Sequence, residues 1–150
     1  MSDSTLSPVD KFPVLPKPVV IADGTYAIIN VASGTALKVQ GTQYIWTILY
    51  DQTKRAYELA NKDSGTYITA SQLYTPLVLG QTEIFQATLA QVGYFTLHIS
   101  NTTGAYAISP AGTNKVVELF QGSSAPGTAV QITDADGSTK QLWSFVRIPN

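Results

Sequence analysis

The sequence predicts an all-β fold built from three copies of one unit, on three observations. Gln141-Leu142-Trp143-Ser144-Phe145-Val146 alternates like a strand, with Trp143 and Phe145 on one face and Leu142, Ser144 and Val146 on the other. Two upstream stretches echo it: Tyr44-Ile45-Trp46-Thr47-Ile48-Leu49 and Glu83-Ile84-Phe85-Gln86-Ala87-Thr88-Leu89 put Trp46 and Phe85 in the slot held by Trp143. Thr, Val, Ile and Tyr dominate, turn signals fall about every ten residues, and no apolar pattern persists at helical spacing. Strands in threefold repetition close most simply into a barrel, and the predicted fold is a β-trefoil with three pseudo-repeats.

Residues 1–20 read as an N-terminal arm and 21–150 as the single trefoil domain. Pro8, Pro13, Pro16 and Pro18 exclude a helix from the arm, and Phe12, Val14, Leu15, Val19 and Val20 give it apolar groups to pack. The first repeat opens at Asp23-Gly24 and runs through Tyr26-Ala27-Ile28-Ile29-Asn30. It turns at Ser33-Gly34 and continues as Ala36-Leu37-Lys38-Val39-Gln40. In the second, Tyr57, Asn61, Ser64 and Gly65 recur at the spacing of Tyr26, Asn30, Ser33 and Gly34, and the glycine supplies the positive φ of a tight turn. Tyr67-Ile68-Thr69-Ala70 and Leu77-Val78-Leu79 follow before Phe85. A third opening is read at Gly93-Tyr94-Phe95-Thr96-Leu97-His98-Ile99, turning at Thr103-Gly104 into Tyr106-Ala107-Ile108. The long interval from Phe85 to Trp143 then implies an insertion in the third repeat, within 114–137.

The 150 residues suit one domain with one core. Charged residues make up 13%, about half the usual share, with a net charge of −1 that attracts neither nucleic acid nor anionic lipid. A surface so poor in charge favours sugars or a protein partner. With no cysteine there are no disulfides, thiolate metal sites or Cys nucleophile. Met1-Ser2-Asp3-Ser4 lacks the features of a secretory signal and no apolar run reaches membrane-spanning length, so a cytoplasmic location is expected. Asn101-Thr102-Thr103 matches the glycosylation sequon and reads as an ordinary turn.

Catalytic chemistry finds little material. His98, the single histidine, alternates between Leu97 and Ile99, and no nucleophile-elbow sequence accompanies it, so a structural role is expected. One His and no Cys leave only carboxylates for a metal. Asp134-Ala135-Asp136-Gly137 begins like a calcium loop but lacks the later acidic ligands, and reads as a polar turn. No glycine-rich phosphate loop is present. No enzyme, cofactor or metal is expected.

Gln141-Leu142-Trp143 carries the Gln-x-Trp motif that ends the repeats of the fungal ricin-B-like lectin family, which residues 23–148 resemble. The segment from Val116 to Gln131 is similar to the family's loop between second and third strands. The resemblance implies a sugar position made of an acidic residue, an aromatic platform and polar groups before Gln-x-Trp. In the third repeat Glu118 takes the acidic place, Gln131 and Gln141 match polar positions, and Asp134 lies beside them. Thr133 stands where the stacking ring belongs, and Lys140 replaces an Asn. In a second register, with Tyr106 to Pro110 as the second strand, Ser109 occupies the acidic place instead. The first repeat has Lys38 there and the second Thr69, so a galactose site of the usual family kind is not expected.

Within the family, the chain is similar to the lectin-like light subunits of mushroom tyrosinase. That likeness implies a non-catalytic subunit beside a copper-containing tyrosinase heavy subunit, together with mannose-type glycan binding. Tyr44, Trp46, Ile48 and Tyr50 share one face of a strand whose other face carries Ile45 and Leu49, and Leu73-Tyr74-Thr75-Pro76-Leu77-Val78-Leu79 is equally apolar. Tyr44, Tyr50, Leu73 and Tyr74 are therefore the candidate partner interface. The alternatives are a free-standing defensive lectin and a β-trefoil protease inhibitor presenting the loop Ser123 to Thr128.

Overall fold

The computed structural model describes residues 15–38, 44–65, 67–68, 93–125, 127–128 and 130–149. Among the described residues nine strands run in chain order: β1 Pro18–Val19, β2 Gly24–Asn30, β3 Ile45–Asp51, β4 Ala56–Asn61, β5 Phe95–Ile99, β6 Ala105–Pro110, β7 Lys115–Leu119, β8 Val130–Asp134 and β9 Trp143–Arg147. Pairings β5–β4, β4–β3, β3–β2, β2–β9, β9–β6 and β6–β5 close a six-stranded antiparallel barrel. Closure removes the edges that an open sheet would expose. β7 and β8 form a separate two-stranded hairpin, and β1 lies along β5 beyond its pairing with β4. The fold is the predicted β-trefoil.

Its threefold symmetry is written in cross-strand partners. Trp46 stands opposite Tyr26 and Asn61, Phe95 opposite Tyr57 and Pro110, and Trp143 opposite Tyr106 and Asn30. Each aromatic ring thus joins the opening strand of its own repeat to that of the next, and the third joins back to the first. All three are buried, with Ile28, Leu59 and Ile108 two positions beyond the tyrosines and Leu37, Ile68 and Val117 eleven beyond. Backbone N–H groups of Val31, Lys62 and Ala111 donate to the carbonyls of Leu142, Ile45 and Tyr94, each at 2.9 Å.

These pairings revise the sequence reading of the repeats. The second aromatic slot belongs to Phe95, whereas Phe85 lies outside the described residues. The third repeat opens at β6 with Tyr106, and the stretch Gly93 to Ile99 closes the second. The intervals Trp46 to Phe95 and Phe95 to Trp143 are then nearly equal, so the third repeat carries no insertion and the first is the short one. β6 is a first strand, which removes the register that placed Ser109 at the acidic position and leaves Glu118 there.

The indoles add a directed bond. Trp46 Nε1 donates to the Leu37 carbonyl at 2.9 Å, and Trp143 Nε1 to the Val117 carbonyl at 3.0 Å. Phe95 has no such donor, and the corresponding Ile68 carbonyl accepts from the Gly93 N–H at 3.3 Å instead. The matched hairpins also follow the predicted spacing. Asn30 and Asn61 accept on their side-chain oxygens from the N–H groups two and three residues on, and Gly34 and Gly65 adopt φ of 73° and 72°.

The arm packs on the barrel from Leu15 onward, with Val19 and Ile21 against the main core. The Tyr57 hydroxyl donates to the Ile21 carbonyl at 2.7 Å and accepts from its N–H at 2.5 Å. His98 is 8% exposed and structural: Nδ1–H donates to the Pro16 carbonyl at 2.6 Å, so Nε2 faces the Thr96 hydroxyl at 2.7 Å. Phe12 and Val14 lie outside the described residues.

Replacing Trp143 by Phe keeps most of the buried ring but orphans the Val117 carbonyl. The expected loss, read by urea denaturation, is about 1–3 kcal/mol. A loss below about 0.5 kcal/mol, ordinary for a surface change, would show that the indole bond does not hold the repeat together.

Candidate carbohydrate site in the third repeat

The hairpin β7–β8 positions most of the predicted sugar-binding residues. Antiparallel register sets Glu118 directly opposite Gln131, and Lys115 opposite Asp134. A short 3₁₀ turn at Thr139–Gln141 delivers Lys140 and Gln141 to the same place immediately before Trp143. The Asn30 side-chain amide holds that turn by donating to the Lys140 carbonyl at 3.0 Å.

Glu118 is only 7% exposed, and both its oxygens are engaged. Oε2 accepts from Gln131 Nε2 at 2.9 Å, and Oε1 accepts from Gln141 Nε2, also at 2.9 Å. The Lys140 ammonium lies 3.9 Å from Oε1 and 3.6 Å from Asp136 Oδ2. Gln141, 2% exposed, is fully used: its amide also donates to the Asp134 carbonyl at 2.8 Å, and its Oε1 accepts the Asp136 N–H at 2.8 Å. A buried carboxylate kept by two carboxamides and an ammonium satisfies the rule that interior charge must be paired and hydrogen-bonded.

Of the four predicted residues, Glu118, Gln131 and Gln141 meet directly. Asp134 contributes its backbone carbonyl, while its carboxylate pairs with Lys115 at the exposed end of the hairpin. Two residues outside that set complete the site: Lys140 and Asp136. Lys140 stood out in the sequence as a departure from the family's Asn, and the i,i+4 spacing of Asp136 and Lys140 was the available signal for their pairing. The 134–137 stretch is the polar turn expected, with the Ser138 N–H donating to Asp136 Oδ1 at 2.8 Å. Among the described residues, no three His, Cys, Asp or Glu side chains gather as a metal site. No helix is long and apolar enough to cross a membrane among them either.

The first repeat differs at two of these positions. Lys38 replaces Glu118, Tyr44 replaces Gln141 two places before the Trp, and Thr69 of the second repeat lies outside the described residues. On β3, Trp46 and Ile48 are buried, and the Tyr50 ring packs edge-on against Tyr57 with centroids 4.9 Å apart. Tyr44 and Leu49 remain 50% and 46% exposed. Of the predicted partner interface, Leu73 and Tyr74 lie outside the described residues. The Ser123–Thr128 loop is pinned by Ser123 Oγ accepting the Ala125 N–H at 3.1 Å and by Thr128 Oγ1 donating to the Ala125 carbonyl at 2.6 Å.

Residues 42–133, more than half of the chain, match the family described as Ricin-type beta-trefoil lectin domain-like. The chain belongs to that family. A curated relative is the main hemagglutinin component type C of Clostridium botulinum C phage, 29% identical over 100 residues that cover 65% of this chain. The chain spans about a third of that relative's length, since the match covers 34% of it. Among solved structures, a ricin B-like lectin of Macrolepiota procera in complex with lactose superposes with a TM-score of 0.68 at 22% identity, covering 87% of this chain and all (100%) of that one. A designed threefold-symmetric protein, ThreeFoil, superposes at 0.67 with 20% identity, covering 84% and 100%. Both likenesses concern the fold.

Partial burial pushes the Asp136 carboxyl upward, but hydrogen bonds from Ser138 and the Lys140 charge outweigh it and hold the group below its ordinary 3.8. A depressed carboxylate stabilises the fold above its unfolded-state value, and that contribution disappears as pH falls through the folded-state value. Asp136→Asn should therefore lose stability relative to the parent at pH 7, with the two converging as the pH is lowered below 3.8. Parallel stability curves from pH 7 to pH 2 would contradict the pairing.

Proposed function

We propose that this chain is a non-catalytic, lectin-like carbohydrate-binding subunit whose glycan position lies in the third repeat. The observation behind this reading is the meeting of Glu118, Gln131, Gln141 and Lys140 over the β7–β8 hairpin. The first repeat has a lysine and a tyrosine in place of the acid and the glutamine.

The geometry supports a division of roles. With both oxygens bonded inside the protein, Glu118 does not bridge two sugar hydroxyls; it orders the groups that do. Gln131 keeps its carbonyl and one N–H, Lys140 supplies donors, and the half-exposed Asp136 carboxylate supplies acceptors. Such alternating donors and acceptors complement vicinal hydroxyls. No aromatic ring stands at Thr133, so ring stacking contributes nothing there and affinity rests on hydrogen bonds. The lectin-type family supports a sugar ligand, and the likeness to tyrosinase light subunits favours a mannose-type one.

Titration calorimetry with methyl α-mannoside and methyl β-galactoside tests this. Saturable binding of the mannoside, weakened at least tenfold by Lys140→Ala or Gln131→Ala, is expected. No saturable binding to either sugar, or full affinity in both variants, would overturn it.

A second element of the reading concerns a protein partner. Leu49, on the outward face of β3, and Tyr44, immediately before the strand, leave large apolar area exposed while Trp46 and Ile48 fill the core. Exposed apolar side chains on an otherwise satisfied strand suit contact with another chain. We assign these exposed side chains to contact with a tyrosinase heavy subunit, with the present chain as its light, non-catalytic subunit. Tyr44→Asp and Leu49→Lys should each abolish co-elution with that heavy subunit in size-exclusion chromatography without lowering thermal stability. Undiminished co-elution of the double variant would remove these residues from consideration.

A further inference from the structure

A pocket lies far from the third-repeat cluster in sequence, between the N-terminal arm and the β3–β4 turn. Its 170 Å³ is lined by Pro18, Val19 and Val20 from the arm, Tyr50 and Tyr57 from the paired strands, Thr96 and Leu97 from β5, and Arg55. Two features set it apart from ordinary surface. The first is its wall of tyrosines, whose rings pack edge-on with centroids 4.9 Å apart. The Tyr57 hydroxyl is consumed by the Ile21 backbone and the residue is 1% exposed, so it backs the pocket behind Tyr50. The second is Arg55. It ends the turn between Asp51 and Ala56 with φ of 53°, in the left-handed region where glycine is the natural occupant. Arg55 makes no ion pair among the described residues. Its neighbour Lys54 is placed differently, with its ammonium 5.4 Å from the Tyr94 ring centroid.

An arginine held where glycine would relieve strain, unpaired and on the wall of an aromatic pocket, matches a binding group more closely than a turn residue. We propose that this pocket is a binding site for a single acidic sugar ring, a hexuronic acid residue. The guanidinium offers two parallel N–H bonds to the carboxylate. The partly exposed Tyr50 ring offers apolar surface to the sugar's C–H groups, and the Thr96 hydroxyl, whose proton goes to His98 Nε2, offers an acceptor to one sugar hydroxyl. The volume is well below the 300–1,000 Å³ or so of a drug-sized site, which limits the occupant to one ring. The nearby acids Asp23, whose carboxylate accepts the Tyr50 N–H at 3.0 Å, and Asp51, which accepts the Lys54 N–H at 3.0 Å, are absent from the walls, so neither neutralises the site from within. The proposal is independent of the third-repeat site, which shares none of these residues.

The left-handed turn makes a discriminating variant available. Arg55→Gly removes the guanidinium and the backbone strain together, so the fold should keep or raise its melting temperature. The full chain would be titrated with methyl β-D-glucuronide, and with methyl β-D-glucoside as the uncharged control, followed by amide chemical shifts. Glucuronide should shift the amides of Tyr50, Arg55, Thr96 and Val19, with glucoside binding at least tenfold weaker. Arg55→Gly should weaken the glucuronide at least tenfold, Arg55→Lys should do so to a lesser degree, and Lys140→Ala should leave it unchanged. Equal binding of the two glycosides, undiminished binding by Arg55→Gly, or shifts confined to the third repeat would each overturn the assignment.

Discussion

Three buried aromatic rings, each held between two opening strands, are the constraint on which this molecule depends. Trp46, Phe95 and Trp143 do in sequence what a ring closure does in geometry: each ties its repeat to the next, and Trp143 opposite Asn30 returns the chain to its start. Apolar burial supplies the driving force, but burial alone is non-directional. Direction comes from the polar additions around the rings. The indole bonds to Leu37 and Val117, and the Val31, Lys62 and Ala111 amides bonded to the preceding repeat, fix how each unit rotates against its neighbour.

The candidate glycan site inherits its order from this frame. Gln141 is two residues before Trp143, and Glu118 immediately follows Val117, whose carbonyl receives the Trp143 indole N–H. Anchoring the ring therefore anchors both ends of the Glu118–Gln141 bond. Asn30 adds a third support by gripping the Lys140 carbonyl from the opening strand of the first repeat. A polar group on a loop would pay to be held in place; here the core holds it. The consequence is a division of labour in which buried Glu118 and Gln141 are structural and Gln131, Lys140 and Asp136 face outward.

Much of the fold was legible because its signals are local. The Asn30/Ser33/Gly34 and Asn61/Ser64/Gly65 match reflects one hairpin geometry demanding the same residue types twice, and Gln141-Leu142-Trp143 marks the last repeat directly. The second aromatic slot was misread because phenylalanine lacks the indole donor that makes a tryptophan recognisable. Phe85 sits in a convincing strand-like run, while Phe95 follows Gly93-Tyr94, which looks like an opening. What could have corrected it is the near-equal spacing of Trp46, Phe95 and Trp143, with an apolar residue eleven positions after each of Tyr26, Tyr57 and Tyr106. The site was legible as a set of residue types but not as an arrangement. That Glu118 would be saturated by Gln131, Gln141 and Lys140 depends on side-chain direction across two hairpins, which no spacing encodes.

The central claim is that a structurally saturated third repeat still presents a sugar-binding rim. Mapping amide chemical shifts during titration of the full chain with methyl α-mannoside tests it most directly. The account predicts saturable shifts at Gln131, Asp136 and Lys140, with the buried Glu118 and Gln141 amides following through their hydrogen bonds to that rim. Saturable shifts that leave the β7–β8 hairpin and the 134–141 turn untouched, or no shifts at any mannoside concentration, would contradict it.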